Sequence, residues 1–191
     1  MTLVFSLNAV ELCKWFIVYW LVNVLTQIPI KFVRIGYVPR RSDVRHWFTY
    51  MWYVPIESPV LTTLQSGFTI PILEEIVFFA LPLLVSPWLS LLTAVLWAIL
   101  HIGGWVDSVL ELVPSSRGRR REVLKVVLVG LIHFGSLALV SWYMWSRGYG
   151  LASVLGHIIN NLVATINEIR TEKKVKRARL RRFCGYLERY L

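Results

Sequence analysis

Ile70-Pro71-Ile72-Leu73-Glu74-Glu75-Ile76-Val77-Phe78-Phe79-Ala80-Leu81 sets two adjacent carboxylates inside an otherwise apolar run. A charged side chain at bilayer depth costs roughly 2.5–3.5 kcal/mol on insertion scales. A pair of them therefore demands partners at the same depth. Outward from this stretch, Phe68 to Val85 is long and apolar enough to be one spanning helix. Ser86-Pro87-Trp88 then reverses the chain into a second apolar run, Leu89 to about Leu112, which carries His101, Gly103, Gly104 and Asp107.

The wider composition agrees. Of 191 residues, 56% are hydrophobic and nine are Trp, which a soluble domain of this size does not tolerate. Ala9 to about Phe32 is a further span, and Val123 to Trp145 (with His133) and Leu151 to Ile166 (with His157, Asn160 and Asn161) complete the set. Met1 to Asn8 lacks the basic residues of a cleaved leader, so the first span is expected to be retained. Glu11 and Lys14, three apart on one face, are placed to pair near the membrane surface, but snorkelling of each to the interface is the favoured account. His46 to Leu64 is rich in aromatic residues and interrupted by Pro55 and Pro59, which suits an interfacial or re-entrant segment. The expected fold is an all-α polytopic membrane helix bundle of about five spans with an active-site cavity in its inner half. Residues 1–167 form one membrane domain, and 168–191 form a basic tail.

Net charge is +10 and clustered. Lys31 to Arg45, Arg117 to Lys125 and the tail hold most of the basic residues. Such stretches mark the cytoplasmic face and its anionic lipids, in preference to nucleic acid. That assignment puts the N-terminus outside and the C-terminus inside, in the cell membrane. Cys13 and Cys184 show no CxxC spacing, and the chain has no His-Glu-x-x-His, so no metal ligands or other cofactor are expected from a motif.

Depth brings the polar residues together. At 1.5 Å per residue, Glu74 lies roughly 10 Å from the inner start of its helix, His101 about 16 Å and His157 about 15 Å from the inner ends of theirs. Glu74 and Glu75 are about 100° apart, so one can address a cavity while the other meets a neighbouring helix. His157 and Asn161, four apart, share a face and present two donors to one point, as an oxyanion requires. A carboxylate in low dielectric is a stronger base and can take a proton from water oriented by His101. The pattern is that of water attacking an amide. The competing reading is a set of interhelical hydrogen bonds that only lock the bundle. For His133 and Asn160, which lack such neighbours, the locking role is expected.

Glu74-Glu75-Ile76-Val77-Phe78-Phe79, Trp97-Ala98-Ile99-Leu100-His101 and His157-Ile158-Ile159-Asn160-Asn161 follow one another on separate spans. In order and spacing, over Phe68 to Ile166, they resemble the Glu-Glu-x-x-x-Arg, Phe-x-x-x-His and His-x-x-x-Asn motifs of the CAAX-protease and bacteriocin-processing (CPBP or Abi) intramembrane proteases. The resemblance implies an endopeptidase acting on a membrane-associated peptide or protein, of the CAAX-prenyl or bacteriocin type. It implies Glu74, Glu75, His101, His157 and Asn161 as catalytic residues and a glutamate-dependent mechanism. A zinc-dependent version, with His101, His157 and a glutamate as ligands, stays open, as does a non-catalytic role in binding or immunity. Two residues depart from the pattern. Trp97 stands for Phe, a mild change, and Phe79 stands for the Arg that would compensate Glu75 one turn away. Glu75 is then either protonated or paired with another group, such as His157.

Overall fold

The computed structural model describes residues 8–32, 59–112 and 116–187. They form helices α1 (Ala9–Phe32), α2 (residues 59–85), α3 (Pro87–Leu112), α4 (Ser116–Ser146) and α5 (Gly150–Leu187). Ala9–Pro29, Val60–Val85, Pro87–Asp107 and Gly118–Ser146 are long and apolar enough to cross a membrane. The architecture is a polytopic helix bundle. Leu151 to Ile166, the remaining expected span, is helical but is not in that set, because His157, Asn160 and Asn161 interrupt its apolar run.

The helix ends follow local chemistry. Asn8 caps α1, its Oδ1 accepting from the Val10 and Glu11 amides at 3.0 and 3.3 Å. Only Ser86 separates α2 from α3: extended at φ −163°, it caps Leu89 through Oγ at 3.0 Å, and Pro87 supplies the preset first helical turn. At the end of α4, Gly148 takes φ 82°. The Gly148 amide reaches Trp145 O at 3.1 Å and the Tyr149 amide reaches Met144 O at 2.7 Å, the two bonds of a Schellman ending.

Several boundaries differ from the sequence expectation. Pro59–Leu64, assigned above to the interfacial segment, is the opening of α2; a proline is compatible with a helix's first turn. Most of that aromatic segment, residues 46–58, lies outside the described residues. Ser116 to Glu122, which fall between the spans expected to end at about Leu112 and to start at Val123, are the first turns of α4, which absorbs Gly118. The tail continues α5 to Leu187 without a break. The Glu11–Lys14 pair forms, at 3.6 Å.

Helix α2 is the irregular one. Its turns at Gln65–Thr69 and Ile76–Ala80 widen into π-helix around the regular Ile70–Glu75. Pro71 and Pro82 explain both. A proline ring collides with the carbonyl four residues back, here Gly67 and Phe78, and each of those lies in a widened turn. Carbonyls disturbed in this way need new donors inside a membrane. Thr93 Oγ1 donates to Phe78 O at 2.5 Å and Ser90 Oγ to Phe79 O at 3.0 Å, both from α3.

Packing places this helix between two partners. The C-terminal half of α2 lies on α3, whereas its N-terminal half lies on α5. Gly67 permits the second contact: a Cβ there would come within 2.5 Å of Leu162 Cδ2. Helix α4 backs α3 along its length, and α1 covers α4 and α5. Outward faces remain apolar, as with Leu92, Val95, Leu96 and Ile99 on α3, which suits lipid in place of water. Glu74 and Glu75 fall where α2 passes from one partner to the other.

Candidate active site

Between the two π-turns, both glutamates are buried, Glu74 at 7% exposure and Glu75 at 1%. Adjacent positions on one helix send them to different neighbours, as their angular separation predicts. Such local π-turns frequently accompany functional sites.

Glu74 looks towards α3 and α5. Its Oε2 accepts from Trp97 Nε1 at 2.9 Å. The same oxygen lies 3.7 Å from His101 Nε2 and 3.5 Å from His157 Nε2. His101 Nδ1 is 2.9 Å from the Trp97 carbonyl, and because a carbonyl only accepts, that nitrogen carries the hydrogen. A neutral His101 therefore turns its lone pair at Nε2 towards Glu74. Its ring is held by Trp97 and Phe134, with centroids 4.1 and 5.0 Å away.

Glu75 looks towards α4 and α5. Trp145 Nε1 donates to Oε2 at 2.6 Å and Ser153 Oγ donates to the same oxygen at 2.9 Å. Oε1 lies 3.1 Å from His157 Nδ1. His157 thus stands between the two carboxylates, one ring nitrogen facing each. The expectation that Glu75 could pair with His157 matches this geometry. Phe79 is buried at 1% and sits edge-on to Trp97 at 6.0 Å, the indole that holds Glu74. The site that departs from the Arg pattern has a packed ring at Phe79 and neutral donors on Glu75.

Of the expected residues, Glu74, Glu75, His101 and His157 come together directly. Asn161 is buried one turn along α5 from His157. The two residues expected to lock the bundle do so. Asn160 Oδ1 accepts from Asn23 of α1 at 3.0 Å, and His133 Nδ1 lies 2.8 Å from Thr26 Oγ1. Asp107 is exposed, as a residue near the membrane boundary should be.

Sequence reasoning missed Trp145, Ser153, Ser141 and Tyr19. Ser141 and Ser153 hydroxyls are 2.8 Å apart, and the buried Tyr19 side chain lies beside Ser141. One signal was present: Ser153, His157, Asn161 and Thr165 recur every four residues, a single polar stripe along α5, and all four are buried.

Each histidine anchors its second nitrogen on a carbonyl or carboxylate, as metal-binding histidines commonly do. Among the described residues, however, no three His, Cys, Asp or Glu side chains are arranged to hold a metal ion. Comparison with known protein families, characterised proteins and solved structures finds no match to this chain.

Proposed function

We propose that this chain is an intramembrane endopeptidase of the CPBP type that hydrolyses a peptide bond of a membrane-associated peptide or protein. The observation that carries the reading is the approach of two imidazole nitrogens, from α3 and α5, to one oxygen of Glu74 at 3.7 and 3.5 Å. Those separations exceed a direct hydrogen bond and fit groups that share a bridging water.

In the proposed reaction, Glu74 takes a proton from water that His101 Nε2 helps to orient, and the oxygen attacks the substrate carbonyl. His157, with Nδ1–H on Glu75, takes a proton from solvent at Nε2 as substrate binds, donates it in a hydrogen bond to the developing oxyanion and returns it to solvent after product leaves, and Asn161 one turn away supplies the second donor. Glu74 then returns its proton to the leaving amine, which completes hydrolysis. The enclosing apolar bundle keeps bulk water from competing for these groups.

The proposal extends to location. The chain lies in the cell membrane with its N-terminus outside and its basic stretches on the anionic cytoplasmic leaflet. CAAX-type prenylated peptides and bacteriocin-like precursors are the first substrates to try. Phe79 favours a second reading, a family member that binds a membrane peptide without cutting it, as an immunity protein would.

The test uses the full chain in lipid vesicles with a quenched farnesyl-cysteine peptide and a transmembrane reporter peptide. Wild type should cut one of them, and Glu74→Gln should be about 10²–10⁴-fold slower, the usual contribution of a general base. Equal cleavage by Glu74→Gln would remove the assignment. Retained cleavage under strong chelation separates the glutamate mechanism from a zinc-dependent one.

A further inference from the structure

Behind Glu75 runs a line of hydroxyls that crosses three helices: Tyr19 on α1, Ser141 on α4 and Ser153 on α5. All are buried, at 1%, 2% and 0% exposure. Tyr19 lies beside Ser141, Ser141 and Ser153 hydroxyls are 2.8 Å apart, and Ser153 reaches Glu75 Oε2 at 2.9 Å. Gly156 makes room for the first member, since a Cβ there would meet the Tyr19 ring at 2.4 Å.

The direction of this line follows from counting hydrogens. Each hydroxyl has one to give. Trp145 Nε1 can only donate, and it already donates to Glu75 Oε2, so that oxygen is an acceptor. With Glu75 ionised, Ser153 gives its one hydrogen to Oε2 and takes the accepting side of its contact with Ser141. Ser141, having given its hydrogen to Ser153, is left with an acceptor for the buried Tyr19 phenol beside it. In that order the Ser141 and Ser153 O–H dipoles align head to tail and end on Glu75, and aligned hydrogen bonds reinforce one another. With Oε2 accepting twice, the one proton between Glu75 and His157 lies on the line from Oε1 to Nδ1.

We propose that Tyr19, Ser141, Ser153 and Trp145 are positioning residues which make Glu75 a fixed acceptor for His157 Nδ1–H, so that Nε2 is the nitrogen His157 presents to Glu74. Its catalytic consequence rests on the peptidase reading; the geometry of His157 does not. The line also brings α1 into the site, although α1 gives no residue to the reacting groups. Among the described residues, the ionisable groups around Glu75 are Glu74 on α2, His157 on α5 and Tyr19 on α1, while α4 offers Trp145 and Ser141, and His101 of α3 faces Glu74 instead.

The experiment uses full-length protein labelled with ¹⁵N-histidine in phosphatidylcholine vesicles. Only four histidines are present, so the His157 signals are assigned by their loss in His157→Gln. At neutral pH, wild type should show His157 with a protonated Nδ1 and an unprotonated Nε2. Ser153→Ala should mix in the opposite tautomer, and Tyr19→Phe, which removes one oxygen at the far end, should do so to a smaller degree. In the cleavage assay Ser153→Ala should lower kcat roughly tenfold at unchanged KM, the usual effect of removing one hydrogen bond to a charged group.

A wild-type His157 protonated on Nε2 alone, or a tautomer unmoved by Ser153→Ala, overturns the proposal. The spectra need no substrate. If they behave as expected while no peptide is cut, the peptidase reading fails and the positioning role stands. If cleavage occurs but the tautomer ignores Ser153, the reverse holds.

Discussion

Two buried polar clusters share this bundle, and they are built from different materials. Between α1, α4 and α5, amides and hydroxyls close on one another: Gln27 donates to Asn23 Oδ1 at 3.1 Å and Asn23 donates to Asn160 Oδ1 at 3.0 Å. Thr26 gives its hydrogen to Val22 O at 2.7 Å and lies 2.8 Å from His133 Nδ1, which fits His133 as the donor of that second bond. All of these contacts have hydrogen-bond lengths and none involves a carboxylate. Around α2 the acceptors are two carboxylates, and the contacts divide. Those to Glu75 run from 2.6 to 3.1 Å, while the imidazoles stand 3.5 and 3.7 Å from Glu74.

The difference separates a lock from a site. A neutral amide pair inside a membrane contributes modest association energy, about 0.6–2 kcal/mol, and has no proton to exchange. A carboxylate pair is far more expensive to bury and is hard to justify by packing alone. Here Glu75 takes donors at hydrogen-bond length on both oxygens, and Glu74 Oε2 takes one indole donor and faces two imidazole nitrogens at 3.5 and 3.7 Å.

The comparison can be broken first at His157, which links the two carboxylates. His157→Gln keeps a polar side chain of similar reach but loses the second ring nitrogen. Cleavage of the reporter peptides should fall about 10²–10⁴-fold, as for loss of a proton-transferring group, with folding judged by unchanged helical circular dichroism. An unaffected rate would place His157 with the lock. A smaller effect is expected at Trp97, whose indole donates to Glu74 Oε2. Trp97→Phe keeps an aromatic ring against Phe79 and Phe134 but deletes that bond, so kcat should drop roughly tenfold. If the rate instead rises, the indole was restraining Glu74, and its position as the proposed base would need revising.

How much of this was legible depends on what each residue looks like in one dimension. Glu74 and Glu75 stood out because a carboxylate contradicts the apolar run around it. His101 and His157 stood out for the same reason, and counting along their helices placed them at one depth. Trp145 and Tyr19 gave no such signal. In a membrane sequence an indole or phenol blends with its apolar neighbours, and its polar atom matters only when a three-dimensional partner is known. Ser153 was hidden differently, since a serine is inexpensive in a membrane helix and only its four-residue spacing from His157 marked it. Pro71 and Pro82 went unread inside a stretch that reads as one span, and their π-turns are seen only with Thr93 and Ser90 of α3 in place. The fifth helix shows the trade directly: the residues that make α5 part of the site also interrupt the apolar run expected of a span.

The smallest expected effect lies in the lock, and it is the control for the rest. Asn23 both donates to Asn160 and accepts from Gln27, so Asn23→Ala leaves two amides without their partner. Removing it should lower stability by about 1–2 kcal/mol, read as a fall in the thermal midpoint of the vesicle-embedded protein. Cleavage at a temperature well below that midpoint should stay within about twofold of wild type, because the remaining amides can still find donors or acceptors without touching Glu74. A large loss of rate with little loss of stability would show that the two clusters are coupled through α5, where Asn160 and Asn161 are neighbours. The distinction between lock and site would then dissolve into one network. Equal and opposite behaviour at Asn23 and His157, with stability lost at the first and rate at the second, is what the separate geometries require.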